Sequence, residues 1–418
     1  SGLVHLGAVP DGAALAIAGG SVPVQKITRA DGSSDSVARV DAIAPLGWTG
    51  AQLVAGNGAG QSAVSVSATH LENDLLRVEF DDKGEITSIF DKSRNRETLA
   101  AGEKANRLIA YEDKPMNWDA WDIERYFEEQ FWPLADGKTD IAVVETGPHR
   151  AAIRIERAYQ KSKIVQVISL AAGERQVEFD TFIDWQERAQ VIKAVFPFDL
   201  NTSEVRSEIA FGHVKRPTHR NTTWDRARFE ASMHRWVDIS EADFGVALLN
   251  DCKYAYDCHE QVVRLTLLRG STFPHPEADL GMHRLRYGLF VHEGVADLAA
   301  VHQAAERFNN PVAVIGARQI AAAPAADLAS FSLADIDAPN VTIETVKKAE
   351  KSDALVLRVF EHANIRAEAN IRFGLEVKSV RVVNLMEEEA GEKLELTDNG
   401  VTLKLRPFEI VTLLVEVA

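Results

Sequence analysis

The amino-acid sequence predicts a mainly β chain of several antiparallel sandwich units with few helices. Three observations support this: apolar and polar residues alternate at period two over most of the length, an Asp/Gly turn links two such runs, and one segment alone carries helical spacing. The alternation recurs at Leu76/Val78/Phe80, Ile86/Ser88/Phe90, Ile153/Ile155, Val165/Val167, Val177/Phe179/Thr181/Ile183, Val263/Leu265/Leu267 and Leu403/Leu405, each expected as a half-buried strand. Between the first two runs, Asp81-Asp82-Lys83-Gly84 supplies turn geometry and implies a hairpin. The exception is Leu298, Val301, Ala305 and Phe308 at three- and four-residue spacing, a helix that Asn309-Asn310-Pro311 should end.

Composition breaks at Val54 to Ser67 and from Ala321 to Pro339 divide the chain into a small β region at 1–66, a large central β domain at 67–325 and a final sandwich at 326–418. A length of 418 residues fits such a division. No apolar run approaches the roughly 20 residues that span a bilayer, so no membrane is expected as a partner. The 46 basic and 62 acidic residues leave a net charge of −16, which opposes nucleic-acid phosphates and tolerates a neutral ligand such as a sugar. Cys252 and Cys258, with five residues between them, lack redox or zinc-knuckle spacing and are expected as free thiols. With no signal-peptide pattern at Ser1-Gly2-Leu3-Val4-His5, a cytoplasmic setting is expected.

The densest cluster of unusual residues runs from Glu112 to Glu124. Trp118 and Trp121, with Asn117, Asp119 and Asp122, suit a sugar: indole faces stack on apolar pyranose faces while amide and carboxylate groups bond hydroxyls. The plain alternative is a loop whose tryptophans plug the core. Asp119 and Asp122 also raise the paired-carboxylate chemistry of glycosidases, which requires a separation that sequence does not give. A second cluster, Phe211 to Asp225 with Glu230 and His234, holds three histidines without metal-ligand spacing, and its Lys215, Arg216 and Arg220 could bridge to another domain. The loop from Pro274 to His283, with Asp279 and His283, joins two strand-like runs, where function tends to reside.

In order and spacing, LENDLLRVEFDDKGEITSIFDK (71–92), LIAYEDKPMNWDAWDIE (108–124), FGHVKRPTHRNTTWDRARFE (211–230), DFGVALLNDCKYAYD (243–257), RFNNPV (307–312) and LRPFEIVTLLV (405–415) resemble the C-terminal half of family 38 glycoside hydrolases, the α-mannosidases of shorter bacterial and vacuolar type. That resemblance implies a galactose-mutarotase-like supersandwich flanked by smaller β-sandwich domains. It implies that the intact protein hydrolyses terminal α-mannosides of oligosaccharides with retention, through an aspartate nucleophile and a zinc ion. It also implies that an N-terminal barrel and helical bundle of the same polypeptide carry both, with this chain alone inactive and beginning inside the small β region.

The family's zinc motifs, H-x-D and His-His-Asp, do not occur: none of the 12 histidines has Asp two residues later, and none are adjacent. No catalytic residue and no metal ligand is therefore assigned. Asn117, Trp118, Asp119, Trp121, Asp122, Asp279 and His283 are the expected substrate-binding positions, with an oligosaccharide as partner and a homo-oligomer compatible with the sequence. Two rival classes are a stand-alone carbohydrate-binding or scaffolding sandwich and an aldose epimerase. The epimerase would need a His acid and a Glu base, for which Glu208, Glu230, His213, His219 and His234 are the candidates.

Overall fold

The computed structural model describes residues 2–41, 43–56, 62–316 and 329–418. Every strand pairing in it is antiparallel, as short turns between alternating runs require. The expected hairpin forms between Leu76–Phe80 and Ile86–Asp91. Its turn closes through Asp81, whose Oδ1 accepts from the Lys83 and Glu85 amides, and through Gly84 at φ +70°.

The centre of the molecule is a sandwich. A nine-stranded sheet runs, in spatial order, through Thr139–Thr146, Arg150–Tyr159, Ser162–Ala171, Gln176–Trp185, Gly281–His292, Gly245–Asn250, Trp236–Ser240, Glu204–Ile209 and Gly212–Pro217. Facing it are a six-stranded sheet (Phe131–Pro133, Arg107–Glu112, Gln190–Pro197, Val262–Arg269, Ala255–His259, Ala231–Ser232) and a five-stranded sheet from Arg96–Glu97 to Ser65–Ser67. Their inward side chains, among them Val78, Ile153, Ile168, Phe179, Phe196, Leu265, Tyr287 and Leu289, share one core.

Ser162–Ala171 departs from half-burial. Ile164 and Ile168 enter the central core, while Val165 and Val167 on the opposite face pack with Ala152 against Ala30 of the N-terminal region. The small β region thus covers part of the nine-stranded sheet. Elsewhere that outer face is covered by the helix Leu298–Asn309, whose Leu298, Val301, Ala305 and Phe308 meet Trp236, Ala247, Leu249 and Phe290.

The C-terminal part is a second sandwich, with a three-stranded sheet (Ala334–Ile336, Ala367–Phe373, Gly400–Leu405) against a five-stranded one (Val341–Lys348, Leu355–Glu361, Ile410–Val417, Val377–Val383, Glu389–Leu394). It encloses its own core around Val359, Ile371, Val380, Leu403 and Leu413. The expected division at 325/326 lies outside the described residues. The one at 66/67 falls within Ser65–Ser67, which belongs to the central body's five-stranded sheet. Ser330–Ser332 pairs with Gly47–Thr49, so the N-terminal β region meets the strand that precedes the C-terminal sandwich.

Candidate functional site

The expected site residues lie over the outer face of the six-stranded sheet. Alternation sends Ile192 and Ala194 into the central core and Lys193 outward, where register places it between Ile109 and Thr266 on the neighbouring strands. Lys193 is nevertheless fully buried, because Phe127, Ile123 and the chain around Glu230 cover this face. Its ammonium donates to Glu230 (2.5 Å), Asp257 (2.9 Å) and the Thr266 hydroxyl (3.0 Å). Burial alone would pull the ammonium down, but Asp257 and Glu230 outweigh it and hold the pKa above the ordinary lysine value.

The charges continue across the strands. Arg264, opposite Asp257 in register, donates to it at 2.6 Å and to Glu128 at 2.5 Å; Arg220 reaches Glu128 at 3.1 Å. Against the upward push of burial, these two guanidiniums hold the Glu128 carboxyl at about 2. Towards the other end, Arg269 closes a bidentate pair with the buried Asp113 at 2.7 and 2.8 Å.

Arg269 is also the hub of the loops above. Its Nη2 donates to the Asp122 carbonyl (2.7 Å), and its backbone amide donates to the Asp279 carboxylate (3.1 Å). The His283 Nε2–H donates to the Asp279 carbonyl at 2.7 Å. Asp119 commits both oxygens, Oδ2 to the amide and hydroxyl of Thr272 (2.6 and 2.8 Å) and Oδ1 to the Phe273 amide (2.9 Å). Those donors overcome the upward pull of desolvation and lower its pKa. The structure therefore brings together the two segments singled out from sequence, 112–124 and 274–283, and uses their carboxylates mainly as ties. Asp119 has no free oxygen for nucleophilic work, and the Asp122 Oδ1 accepts from the next amide in the chain.

What the ties present is aromatic. Trp118 and Trp121 stand 6.1 Å apart at 78°, and Phe273 lies 5.3 and 6.5 Å from them. Their exposures of 59, 66 and 49% decide against tryptophans that plug the core. Met116 and Asn117 are exposed beside them in the chain. Sequence reading missed Phe273, Arg269 and the Lys193 network. The signal for Lys193 was present, a lone cation inside the apolar run Val191 to Phe196; Phe273 and Arg269 gain meaning only from partners more than 140 residues away.

The second cluster is bound up within its own body: Lys215 pairs with Glu204 (2.9 Å), Arg216 approaches the Tyr256 hydroxyl (3.4 Å) and Arg220 holds Glu128. For the epimerase reading, Glu230 is held by Lys193 and Thr266, and Glu208 by Arg235, so neither carboxylate is free as a base. Cys252 and Cys258 are free thiols. Among the described residues no three His, Cys, Asp or Glu side chains are grouped so as to hold a metal ion, so the residues present do not fit a zinc centre. A cavity of about 250 Å³ lies on the other sheet, between Leu3, Glu178, Arg286 and Phe308, and includes none of the positions above.

Comparison with known proteins agrees with this architecture. Residues 71–277 match the glycosyl hydrolases family 38 C-terminal domain, and residues 340–413 match that family's C-terminal beta sandwich domain. The chain belongs to glycoside hydrolase family 38, as its C-terminal β portion. Alpha-mannosidase 2C1 of Homo sapiens is 37% identical over 350 residues, 82% of this chain and 33% of the human protein. The alpha-mannosidase of Saccharomyces cerevisiae is 32% identical over 362 residues, 79% of this chain and 33% of its own length. This family 38 chain thus spans about a third of the length of the curated relatives it matches. An alpha-mannosidase structure from Enterococcus faecalis V583 superposes over 98% of the chain and 51% of its own, with a TM-score of 0.79 at 19% identity, which shows the fold. No helix among the described residues is long and apolar enough to cross a membrane.

Proposed function

We propose that this chain is the C-terminal region of an α-mannosidase that hydrolyses terminal α-mannosides of oligosaccharides with retention. Its Trp118, Trp121 and Phe273 platform, with Asn117, Asp122, Asp279 and His283 around it, would complete a substrate pocket. The nucleophile and zinc would come from an N-terminal barrel of the same polypeptide, acting in the cytoplasm. The observation that carries this reading is an exposed aromatic cluster held by polar ties on a family 38 C-terminal domain. Exposed indoles lose apolar surface to water at a cost, and a pyranose face recovers it by stacking. Zinc would supply Lewis-acid and template chemistry when bound. The residues here bind and orient: indole faces take the sugar's apolar face, and Asn117 and Asp122 bond its hydroxyls.

Hydrolysis of an aryl α-mannoside tests the reading. The polypeptide carrying the barrel should turn it over, and this chain alone should not. In the longer protein, Trp118→Ala with Trp121→Ala should raise KM about tenfold, the loss of roughly 1.4 kcal/mol of stacking. Turnover by the chain alone, or unchanged kinetics in the double variant, would overturn it. The same exposed cluster also favours a sugar-binding module that acts by itself, which calorimetry of the isolated chain with mannosides decides.

A further inference from the structure

We propose that the seam between the C-terminal sandwich and the central body is an acid-sensitive latch, in which buried His302, His362 and His213 hold the sandwich docked while neutral and release it when protonated. The three come from three elements: the helix Leu298–Asn309, the chain just past strand Leu355–Glu361, and the edge strand Gly212–Pro217 of the nine-stranded sheet. His302 and His362 stack across the seam with ring centroids 3.8 Å apart and planes 12° from parallel. His213 Nδ1 meets the His362 carbonyl at 3.2 Å, so its proton sits on that nitrogen. All three are buried.

The rest of the seam is aromatic and close-packed. Phe360 stands edge-on to His302 and Phe211, and Phe408 edge-on to His213. Only a glycine at 212 leaves room for Phe408, whose Cδ1 would lie 2.8 Å from an added Cβ. Gln303 on the helix donates to the Pro339 carbonyl of the sandwich at 3.1 Å.

Few charges here could receive a second cation. From the sandwich, Glu361 already accepts from Asn340 Nδ2 and from the amides of Ala363, Asn364 and Phe408 at 2.8–3.0 Å. From the sheet, Glu208 Oε1 lies 3.5 Å from His302 Nδ1, but Arg235 holds that carboxylate through its amide, Nε and Nη2. From the helix, Glu306 is taken by the same Arg235. Farther along the sheet, Arg206 and Asp238 act on His213 in opposite senses. A proton on His302 therefore meets its stacked partner and Arg235 together.

Burial first, then His362 and Arg235, pull His302 down to about 2. Burial, which outweighs the opposing pull of Glu361 and the Pro339 backbone and is aided by Arg235 and His213, brings His362 down to about 4, and burial also lowers His213. Released into water, each returns towards the ordinary histidine value near 6.5. The released form therefore binds more protons below about pH 6.5, and docking weakens as pH falls through that value, by up to about tenfold per pH unit for each histidine. Above about pH 7 the latch is pH-independent.

Hydrogen exchange of the whole chain from pH 7.5 to 4.5, corrected for the intrinsic pH dependence of amide exchange, reads the latch. Expected is an opening constant for peptides covering 298–309, 355–364 and 212–217 that rises at least about tenfold per pH unit below 6.5, while Ser162–Ala171 stays protected. His302→Phe with His362→Phe keeps ring against Phe360 and should cut that slope to His213's share; His302→Gln alone should lower it by one histidine's share. Opening of seam and core at one pH, or a wild-type slope in either variant, would overturn the proposal.

Discussion

Lys193 is the cation paired with Glu230 and shares Asp257 with Arg264, so Lys193→Met should leave the Glu230 carboxylate buried beside Asp257 without its ammonium. Removing one partner of a buried ion network costs about 3–5 kcal/mol, whereas replacing the whole set by neutral groups costs far less. Urea unfolding of Lys193→Met should show a loss of that size. Glu230→Gln added to it, which leaves Asp257 to Arg264, should recover much of the loss, and no recovery would mean that the lysine's stem, not its charge, holds the face. Glu128 gives the matching pH dependence. Its folded pKa of about 2 lies below the ordinary 4.5, so its contribution is full above about 4.5 and is lost as pH falls towards 2. Glu128→Gln should flatten the stability curve in that window and leave the curve between pH 5 and 7 unchanged. The histidine seam begins to weaken below about 6.5, so between pH 5 and 6.5 its effect is read without that of Glu128.

At the scale of elements, the hairpin at Leu76–Phe80 and Ile86–Asp91 and the helix Leu298–Asn309 were legible because each rests on local chemistry: alternation around an Asp/Gly turn, or apolar residues at helical spacing before Asn-Asn-Pro. Gly84→Ala tests the turn. At φ +70° an alanine pays for its Cβ, which would also lie 2.8 Å from Ile155 Cδ1, so a loss of at least about 1–2 kcal/mol is expected by chemical denaturation. Less legible were elements defined by distant partners. Val165 and Val167 look like one face of an ordinary half-buried strand until Ala30 arrives from more than 130 residues upstream. The loop at Asn117 to Asp122 was visible as a cluster of tryptophans and carboxylates, but whether they were exposed or buried depended on Thr272 and Phe273. Asp119, expected from sequence as a sugar contact, accepts three hydrogen bonds that hold the platform. Asp119→Ala should therefore loosen both loops, seen as faster exchange at 116–122 and 271–275, while costing only about 1 kcal/mol of global stability.

For the whole molecule, the central and C-terminal cores share no residue: one is built around Phe179, Phe196 and Tyr287, the other around Ile371, Leu403 and Leu413. They meet at the histidine seam, and the N-terminal β region reaches the C-terminal part through the pairing of Gly47–Thr49 with Ser330–Ser332. Two cores joined by a narrow contact need not melt as one, and a single unfolding free energy is then not defined for the chain. Leu413→Ala removes a fully buried side chain from the C-terminal core, and Phe179→Ala removes one from the central core; each should cost its own unit about 2–5 kcal/mol. In calorimetry at pH 7.5, Leu413→Ala should lower one transition and leave the other in place, with Phe179→Ala doing the reverse. At pH 5 the wild-type transitions should move apart, because released units no longer stabilise one another. A single transition that shifts equally in both variants at both pH values would mean that the seam is as strong as the cores it joins, and that the sandwich is a fixed part of the body rather than a latched one.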